Sequence, residues 1–548
     1  MAPHGHPQNA AFPSEIYHAA PEPEPRTGEI PEVTSAEASA RFAGRDDVVR
    51  HKGRYALANR TITPGEAMVI DLLFVRDALD AAGIEHLLVR GSDARPVVAV
   101  DWKHRQRLRA ALVTACADEP FYSLSVDTRR DKALLVADGK LSLSSKARMF
   151  RLYRPRVEPV GGLGYGQGTG VQVELWKFDD DGTIKLPIEN SLTRRTIPAD
   201  EAVRGTVQRY GRVWHTIENM FADHATDIDF PIDIVFSWVD GNDPDFQRYR
   251  ASFMENVVVG EGDDDEARYR QINELKYALR SIHMFAPWIR HVFICTDSPV
   301  PAWLDAEHPG VSIVRAEDHF RDSSVLPVFN SQAIEAQLQH IEGLSEHFLY
   351  SNDDMFFGRP LGPDMFFSPG GVTKFIEAET RIGLGDNHLD RSGFENAARV
   401  NRRLLHDRFG RITTRHLEHT AAPLRRSVMH EMEEAFAEEF VSTAASRFRA
   451  KDNISVTNSL YHYYALLTGR AVTKVGAKVK YVDTTMFSGL DSLSKLLRKR
   501  NQDFFCLNDG SFPEVSAKQR QEVVTDFLEK YFPIAAPWEK NEETGQNT

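Results

Sequence analysis

Cysteine is almost absent from this chain. Only Cys116, Cys295 and Cys506 occur in 548 residues, far apart and odd in number. They offer neither a zinc spacing nor a disulfide framework, so a reducing compartment is the simpler reading. Long apolar runs are lacking as well: no stretch of ~18 apolar residues occurs, and the sequence predicts no transmembrane helix. The opening MAPHGHPQNAAFPSEIYHAAPEPEPRTGEIPE has neither the basic start nor the apolar stretch of a signal peptide. Positive charge is not in excess. The formal net charge of −13 argues against nucleic acid as a partner and against general attraction to anionic membranes. The expected location is the cytoplasm.

What is present is a globular composition, 42% hydrophobic and 26% charged, with length for more than one domain. No internal repeat interrupts it. Residues 1–45, rich in Pro, Ala, Glu and His, are expected to form a disordered arm. Residues 46–228 are expected to form an accessory mixed α/β domain. Thr63-Pro64-Gly65-Glu66 predicts a helix start, and Met68, Leu72, Val75 and Leu79 then recur at helical spacing. KALLVAD, LSLSS, MFRLYRP and VQVELWKFD are expected as strands. GGLGYGQGTG fits a hairpin connection; it lacks the Lys-Ser/Thr ending of a phosphate loop. A second domain, 229–535, begins with PIDIVFSWVDGNDP, and 536–548 is expected to be a flexible tail.

The second domain repeats one arrangement three times. IDIVFSWV, HVFICTD and HFLYSNDDMFF are apolar strands followed by Asp240, Asp297 and Asn352-Asp353-Asp354. In open α/β sheets ligands bind beyond the carboxyl ends of strands, so three such ends can gather carboxylates in one crevice. Asp is also simply a good turn residue, and for Asp297 both readings stand. Adjacent carboxylates repel unless a cation neutralises them, which points to Mg²⁺ or Mn²⁺. Before HVFICTD, Ile272, Leu275, Leu279, Ile282 and Phe285 share one helical face, while Lys276 and Arg280 share another. Such a cation pair suits a diphosphate, although spacing alone favours a solvated surface helix. His416 and His419 carry no zinc motif. GEGDDDEARYR reads as an exposed acidic turn, KLLRKR as a surface helix, and SLYHYYALL as a core helix.

The blocks PIDIVFSWVDGNDP, NELKYALRSIHMFAPWIRHVFICTDSPVPAWL with LPVFNSQAIEAQLQHIEGLSEHFLYSNDDMFFGRP, HLEHTAAPLRRSVMHEMEEAFAEEFVSTAASRFRAKDN, and FFCLNDG resemble, in order, the Stealth family of sugar-phosphate transferases. They cover roughly residues 230 to 512; the preceding residues lie outside the resemblance. It implies a nucleotide-sugar transferase-like (GT-A/Rossmann-like) α/β core with helical insertions, beside the smaller amino-terminal α/β domain. It implies a UDP-sugar donor, transfer of sugar-1-phosphate to a hydroxyl of a polysaccharide or oligosaccharide acceptor, and release of UMP. The matching positions are Asp240, Asn273, Glu274, Lys276, Arg280, Asn330, Ser331, Asn352, Asp353, Asp354, His419, Arg449, Asn508 and Asp509.

On that resemblance Asp240, Asp354, His419 and Arg449 are the expected catalytic residues, with His419 as base. Asn273, Glu274, Lys276, Arg280, Asn330, Ser331 and Asn508 are expected to bind substrate. Asp240, Asp353, Asp354 and Asp509 are expected to hold Mg²⁺ or Mn²⁺. The inner face of the membrane, beside polysaccharide machinery, is a second expected location. Two other readings remain: a metal-dependent glycosyltransferase releasing UDP, and a catalytically silent carbohydrate-binding protein. The intact polar positions in all four blocks count against the silent protein.

Overall fold

Thr63 starts a helix by the chemistry its neighbours allow. In the computed structural model, which describes residues 40–128, 132–254, 272–510 and 513–540, Thr63 caps α1 (Pro64–Ala81). Its hydroxyl accepts from the Glu66 N–H, and the Glu66 carboxylate accepts from the Thr63 N–H. Such reciprocal caps are worth ~1 kcal/mol. The described chain divides into two compact units, one up to Ala225 and one from Thr226 onward. The expected arm up to residue 39, the GEGDDDEARYR turn and residues 541–548 lie outside the described residues.

In the first unit, β1 (His86–Arg90) and β2 (Pro96–Asp101) form an antiparallel pair, and α2 (Arg105–Ala115) follows. Then come β3 (Tyr122–Ser125), β4 (Met149–Tyr153) and β5 (Val171–Phe178). Strand β5 lies between β2, parallel, and β4, antiparallel, and β3 pairs with β4. Leu72, Val75 and Leu79 of α1 meet Leu108 and Leu112 of α2 and Val98, Phe150 and Val173 of the sheet in one core. LSLSS makes no strand, contrary to expectation: the Ser123 hydroxyl donates to the Leu141 carbonyl instead. KALLVAD pairs only at Leu134–Leu135 and then turns, closing on Gly139 at φ 88°. Asp71, on α1, is fully buried and accepts from Arg154 Nε at 2.8 Å and Arg156 Nη2 at 2.7 Å.

The second unit is built on β6 (Ile232–Ser237), whose apolar run is buried on both faces, as central parallel strands are. Helix α3 (Pro244–Ala251) follows, then α4 (Glu274–Phe285), β7 (Val292–Cys295) and β8 (Val311–Val314). After α5 (Ser331–Glu335) come β9 (His347–Asn352) and the short β10 (Met355–Phe357). Helix α6 (Gly393–Phe409) leads to β11 (Ala422–Arg425) and α7 (Arg426–Ala435). The sheet order is β8-β7-β6-β9-β11, parallel except for β11. This is the α/β core the strand pattern predicts.

Val428, Met429 and Met432 of α7 pack with Val235, Phe348 and the tyrosines of α8 (Tyr461–Leu467), which is the expected core helix. Each fully buried side chain of that size contributes ~1.5–3 kcal/mol. A second sheet joins β10 to β13 (Phe504–Asn508), with β12 (Val479–Asp483) parallel on the far side. Helices α9 (Phe487–Lys499) and α10 (Ala517–Tyr531) complete the unit. Residues 536–540 differ from the flexible tail expected of them. Ala536 and Trp538 are buried, and Glu539 pairs with basic residues of α4. Among the described residues no helix is long and apolar enough to cross a membrane.

Candidate active site

Register puts three strand ends on one edge. Ser237, the last residue of β6, pairs with Cys295 on one side and Asn352 on the other. Asp240, Asp297 and Asp353 therefore leave the same carboxyl edge of the sheet. They do not all behave alike. Asp297 accepts from the N–H of Ala316, the first residue of helix Ala316–His319, at 2.9 Å, so its carboxylate is engaged between elements of the fold. Asp240 is half-buried; its N–H donates to Ser298 Oγ at 2.9 Å, and its carboxylate accepts from the Asn242 N–H.

The carboxylates that gather are Glu274, Asp353 and Asp354. Helix α4 begins one residue after Asn273, which adopts the left-handed conformation at φ 60°, ψ 31° that Asn tolerates better than most residues. That entry buries Glu274, whose carboxylate accepts from the Ile272 N–H at 2.6 Å. Burial first, then the charges of Asp353 and Asp354, push the Glu274 carboxyl up to about 8. Asp354 is held from β13: its carbonyl accepts from the Leu507 N–H, and its carboxylate accepts from the Cys506 thiol at 3.3 Å. Burial, followed by the Asp354 charge, pushes that thiol well up. Burial and two acidic neighbours together favour the protonated form of Glu274.

A second set adjoins Asp354. The half-buried ring of His419 lies edge-on to Tyr481, centroids 5.4 Å apart, and the Tyr481 hydroxyl accepts from the Asn508 side chain. Burial raises the Tyr481 phenol, and Asp354 is among the nearby charges that add to it. His416 stacks on Phe394 and is buried. Asp509 is taken up elsewhere, which corrects its reading as a metal ligand. Its carboxylate forms an ion pair with the buried Arg520 and accepts from the Thr484 hydroxyl. A carboxylate neutralised by a guanidinium buried with it, as Arg520 is here, gains little from a metal.

Beyond β6 a third set forms around Arg449. Its guanidinium donates to Ser331 Oγ at 3.0 Å. Glu335, on the same short helix as Ser331, is buried and accepts from the Thr457 hydroxyl at 2.7 Å. Burial raises the Glu335 carboxyl, with Arg449 and Thr457 opposing. Burial, then the Glu335 charge, raises Tyr350, whose hydroxyl meets Ser237 Oγ at 2.7 Å at the end of β6. Asn330 is structural in its contacts: it caps α5 through Gln332 and donates to the Ser446 carbonyl and to Asn453.

The expected phosphate-binding pair is committed elsewhere. Arg280 donates through Nε and Nη2 to both Glu539 oxygens, each at 2.7 Å, and through Nη1 to the Phe532 carbonyl at 3.0 Å. Lys276 lies 3.5 Å from the same carboxylate. The polar face of α4 thus anchors the carboxyl-terminal segment, and its opposite face presents Glu274 to the carboxylates. Cys506, Tyr481, Glu335 and Tyr350 were not singled out by sequence. Only Glu335 had a local signal, one helical turn after Ser331.

Models of the Stealth protein conserved regions match this chain in order: region 1 over residues 230–258, region 2 over 268–375, region 3 over 418–466 and region 4 over 494–548. The chain is 59% identical over 493 residues to the exopolysaccharide phosphotransferase CpsY of Mycobacterium leprae, covering 90% of each chain. It is 55% identical over 475 residues to the exopolysaccharide phosphotransferase of Nocardia farcinica, covering 87% of this chain and 88% of that one. These alignments are longer than the stretch from 230 to the end, so kinship reaches into the amino-terminal unit, outside the blocks that carried the resemblance. Among solved structures, galactosyltransferase LgtC in complex with donor and acceptor sugar analogs matches 57% of this chain and 98% of its own, at 13% identity and a TM-score of 0.28. The conserved regions and the identity to these relatives together place the chain in the Stealth family, and it is a phosphotransferase enzyme.

Proposed function

We propose that this enzyme transfers a hexose-1-phosphate, in the leading version N-acetylhexosamine-1-phosphate, from a UDP-sugar to a hydroxyl of a glycan acceptor in exopolysaccharide or capsule synthesis. The observation that carries the reading is the Glu274–Asp353–Asp354 cluster on the carboxyl edge of the sheet, beside the strand that delivers Asp240. The acceptor oxygen attacks the β-phosphorus of the donor. The bond from that phosphorus to the bridging oxygen breaks, UMP leaves, and the acceptor proton passes to an imidazole nitrogen of His419. Asp353 and Asp354, with Asp240, would hold Mg²⁺ or Mn²⁺, which would supply positive charge against the diphosphate and the departing nucleotide.

Arg449 supplies fixed positive charge for the moving phosphoryl group, and Ser331 orients it. The contact of His419 with Tyr481, and of Tyr481 with Asn508, supports a base beside the carboxylates. The names of the Mycobacterium and Nocardia relatives support an exopolysaccharide as acceptor. The reaction belongs in the cytoplasm or at the inner face of the membrane, where nucleotide sugars and growing polymer meet. A donor labelled at the β-phosphorus tests the reading. The label is expected in the acceptor, with UMP as the nucleotide product; label retained in UDP makes the protein a glycosyltransferase.

A further inference from the structure

A second group of ligating side chains lies apart from this edge. His340 precedes β9, and α7 begins where Arg425 of β11 pairs with His347, the first residue of β9. The carboxylates follow the other end of that strand. Arg426, the first residue of α7, donates to the carbonyls of Gln339 at 2.7 Å and Leu344 at 3.3 Å, tying the helix to the loop that carries His340. Along α7, His430 and Glu433 sit three residues apart on one face.

We infer that His340, His430 and Glu433 form a zinc site. His340 Nε2 lies 3.0 Å from Glu433 Oε2, and His430 Nδ1 lies 3.8 Å from the same oxygen. One ligand atom from each residue falls within 4.8 Å of the others. Tetrahedral zinc with bonds of ~2.0–2.1 Å asks for ligand separations of roughly 3.3 Å, so a small ring movement closes the set. A lone His–Glu contact would be an ordinary ion pair; the second imidazole, its ring centroid 5.2 Å from the first, is what that reading leaves unexplained.

The carboxylate is also oriented, as ligands of metal sites are by their outer contacts. Gln339 Nε2 donates to one Glu433 oxygen at 3.1 Å, and Arg321 donates to the other at 3.2 Å. Two imidazoles and one carboxylate favour zinc over the magnesium or manganese suited to the all-oxygen cluster. The His430 and Arg321 side chains are 42% and 68% exposed, so zinc enters from solvent and water completes its shell. The ion pins α7 to the loop before β9 and takes no part in phosphoryl transfer.

The test uses the full chain without a histidine tag, stripped with EDTA and then titrated with Co²⁺. A tetrahedral nitrogen–oxygen site gives intense visible absorption, whereas an all-oxygen octahedral site gives faint bands. Wild type is expected to show the intense bands and to lose them on adding Zn²⁺. His430→Gln and His340→Gln, each checked for folding by circular dichroism, should lose the bands and bind Zn²⁺ roughly 10- to 100-fold more weakly. Asp354→Asn should keep both properties. Faint bands alone in wild type, unchanged Zn²⁺ affinity in both histidine variants, or loss of the bands in Asp354→Asn would each overturn the site.

Discussion

Asp71 and Glu274 are both buried carboxylates on helices, and their surroundings are opposites. Asp71 meets two guanidinium groups, Arg154 and Arg156, in direct hydrogen bonds. Arg154 in turn reaches Glu119 and lies over the Phe121 ring. Among the described residues Glu274 has no such partner: burial, and then the charges of Asp353 and Asp354, drive it up to about 8. Removing a charge from water costs several kcal/mol, and a matched partner offsets it. The first arrangement spends that compensation on holding a fold. The second leaves an electrostatic conflict, and on the reading proposed above a cation bound at Asp353 and Asp354 would relieve it.

The comparison breaks most visibly at Asp354. Asp354→Asn should lower phosphate transfer by about 10²–10³-fold, the range seen when a single electrostatic contributor is removed from an active site. Its thermal midpoint should stay near that of wild type, because the substitution relieves repulsion. EDTA should abolish wild-type transfer, and Mg²⁺ or Mn²⁺ should restore it. A labelled-donor assay beside a melting curve reads both halves; wild-type turnover in the variant, or full activity in metal-free buffer, removes the cluster from the chemistry.

Asp71→Asn should do the converse. It leaves Arg156, 2% exposed, buried against a neutral amide. Breaking a buried pair from one side costs about 3–5 kcal/mol. Urea denaturation should show that loss in the amino-terminal unit. A loss below about 1 kcal/mol would mean that solvent reaches the arginines.

Glu274→Gln sharpens the contrast through pH. The folded carboxyl titrates at about 8 against an ordinary value of 4.5. Between those values the folded chain keeps a proton that the unfolded chain has lost. Stability of metal-free enzyme should therefore fall as pH rises through that window and level off above it, by at most ~1.4 kcal/mol per pH unit for one group. The glutamine variant should flatten this slope, and adding Mg²⁺ should flatten it in wild type. A slope unchanged by the substitution would assign it to another group.

How far these contrasts were legible in sequence depended on the range of the interaction. The Thr63–Glu66 cap, the apolar β6 run and the Asn352-Asp353-Asp354 ending are local, and the structure forms each where its residues indicate. Asp354 with Cys506 is not local. Their contact exists because β10 pairs with β13 in a register that sets Met355 opposite Cys506. Asp509 looked like a ligand until α10 delivered Arg520 to it. Neither partner has a period or spacing to betray it, since each is chosen by packing between elements distant in the chain.

Arg280 is the clearest such case and gives the smallest effect. Its cationic spacing with Lys276 suited a diphosphate, yet Glu539, 259 residues further along, accepts two hydrogen bonds from its guanidinium. The side chains of Arg280 and Glu539 are only 13% and 7% exposed, so the pair is shielded more than a surface bridge. Hydrogen bonds to charged groups contribute ~1.5–3 kcal/mol each, net of the exchange with water. Glu539→Gln preserves the shape and one acceptor, so its net cost should be about 1–2 kcal/mol, with turnover per folded molecule within a few-fold of wild type. Arg280→Met should behave similarly if the face of α4 that bears it is an anchor. If instead Arg280→Met costs 10²-fold or more in turnover while Glu539→Gln leaves rate and donor KM unchanged, the guanidinium leaves its carboxylate for the donor. A melting curve and a donor titration on the two variants decide between anchor and phosphate ligand.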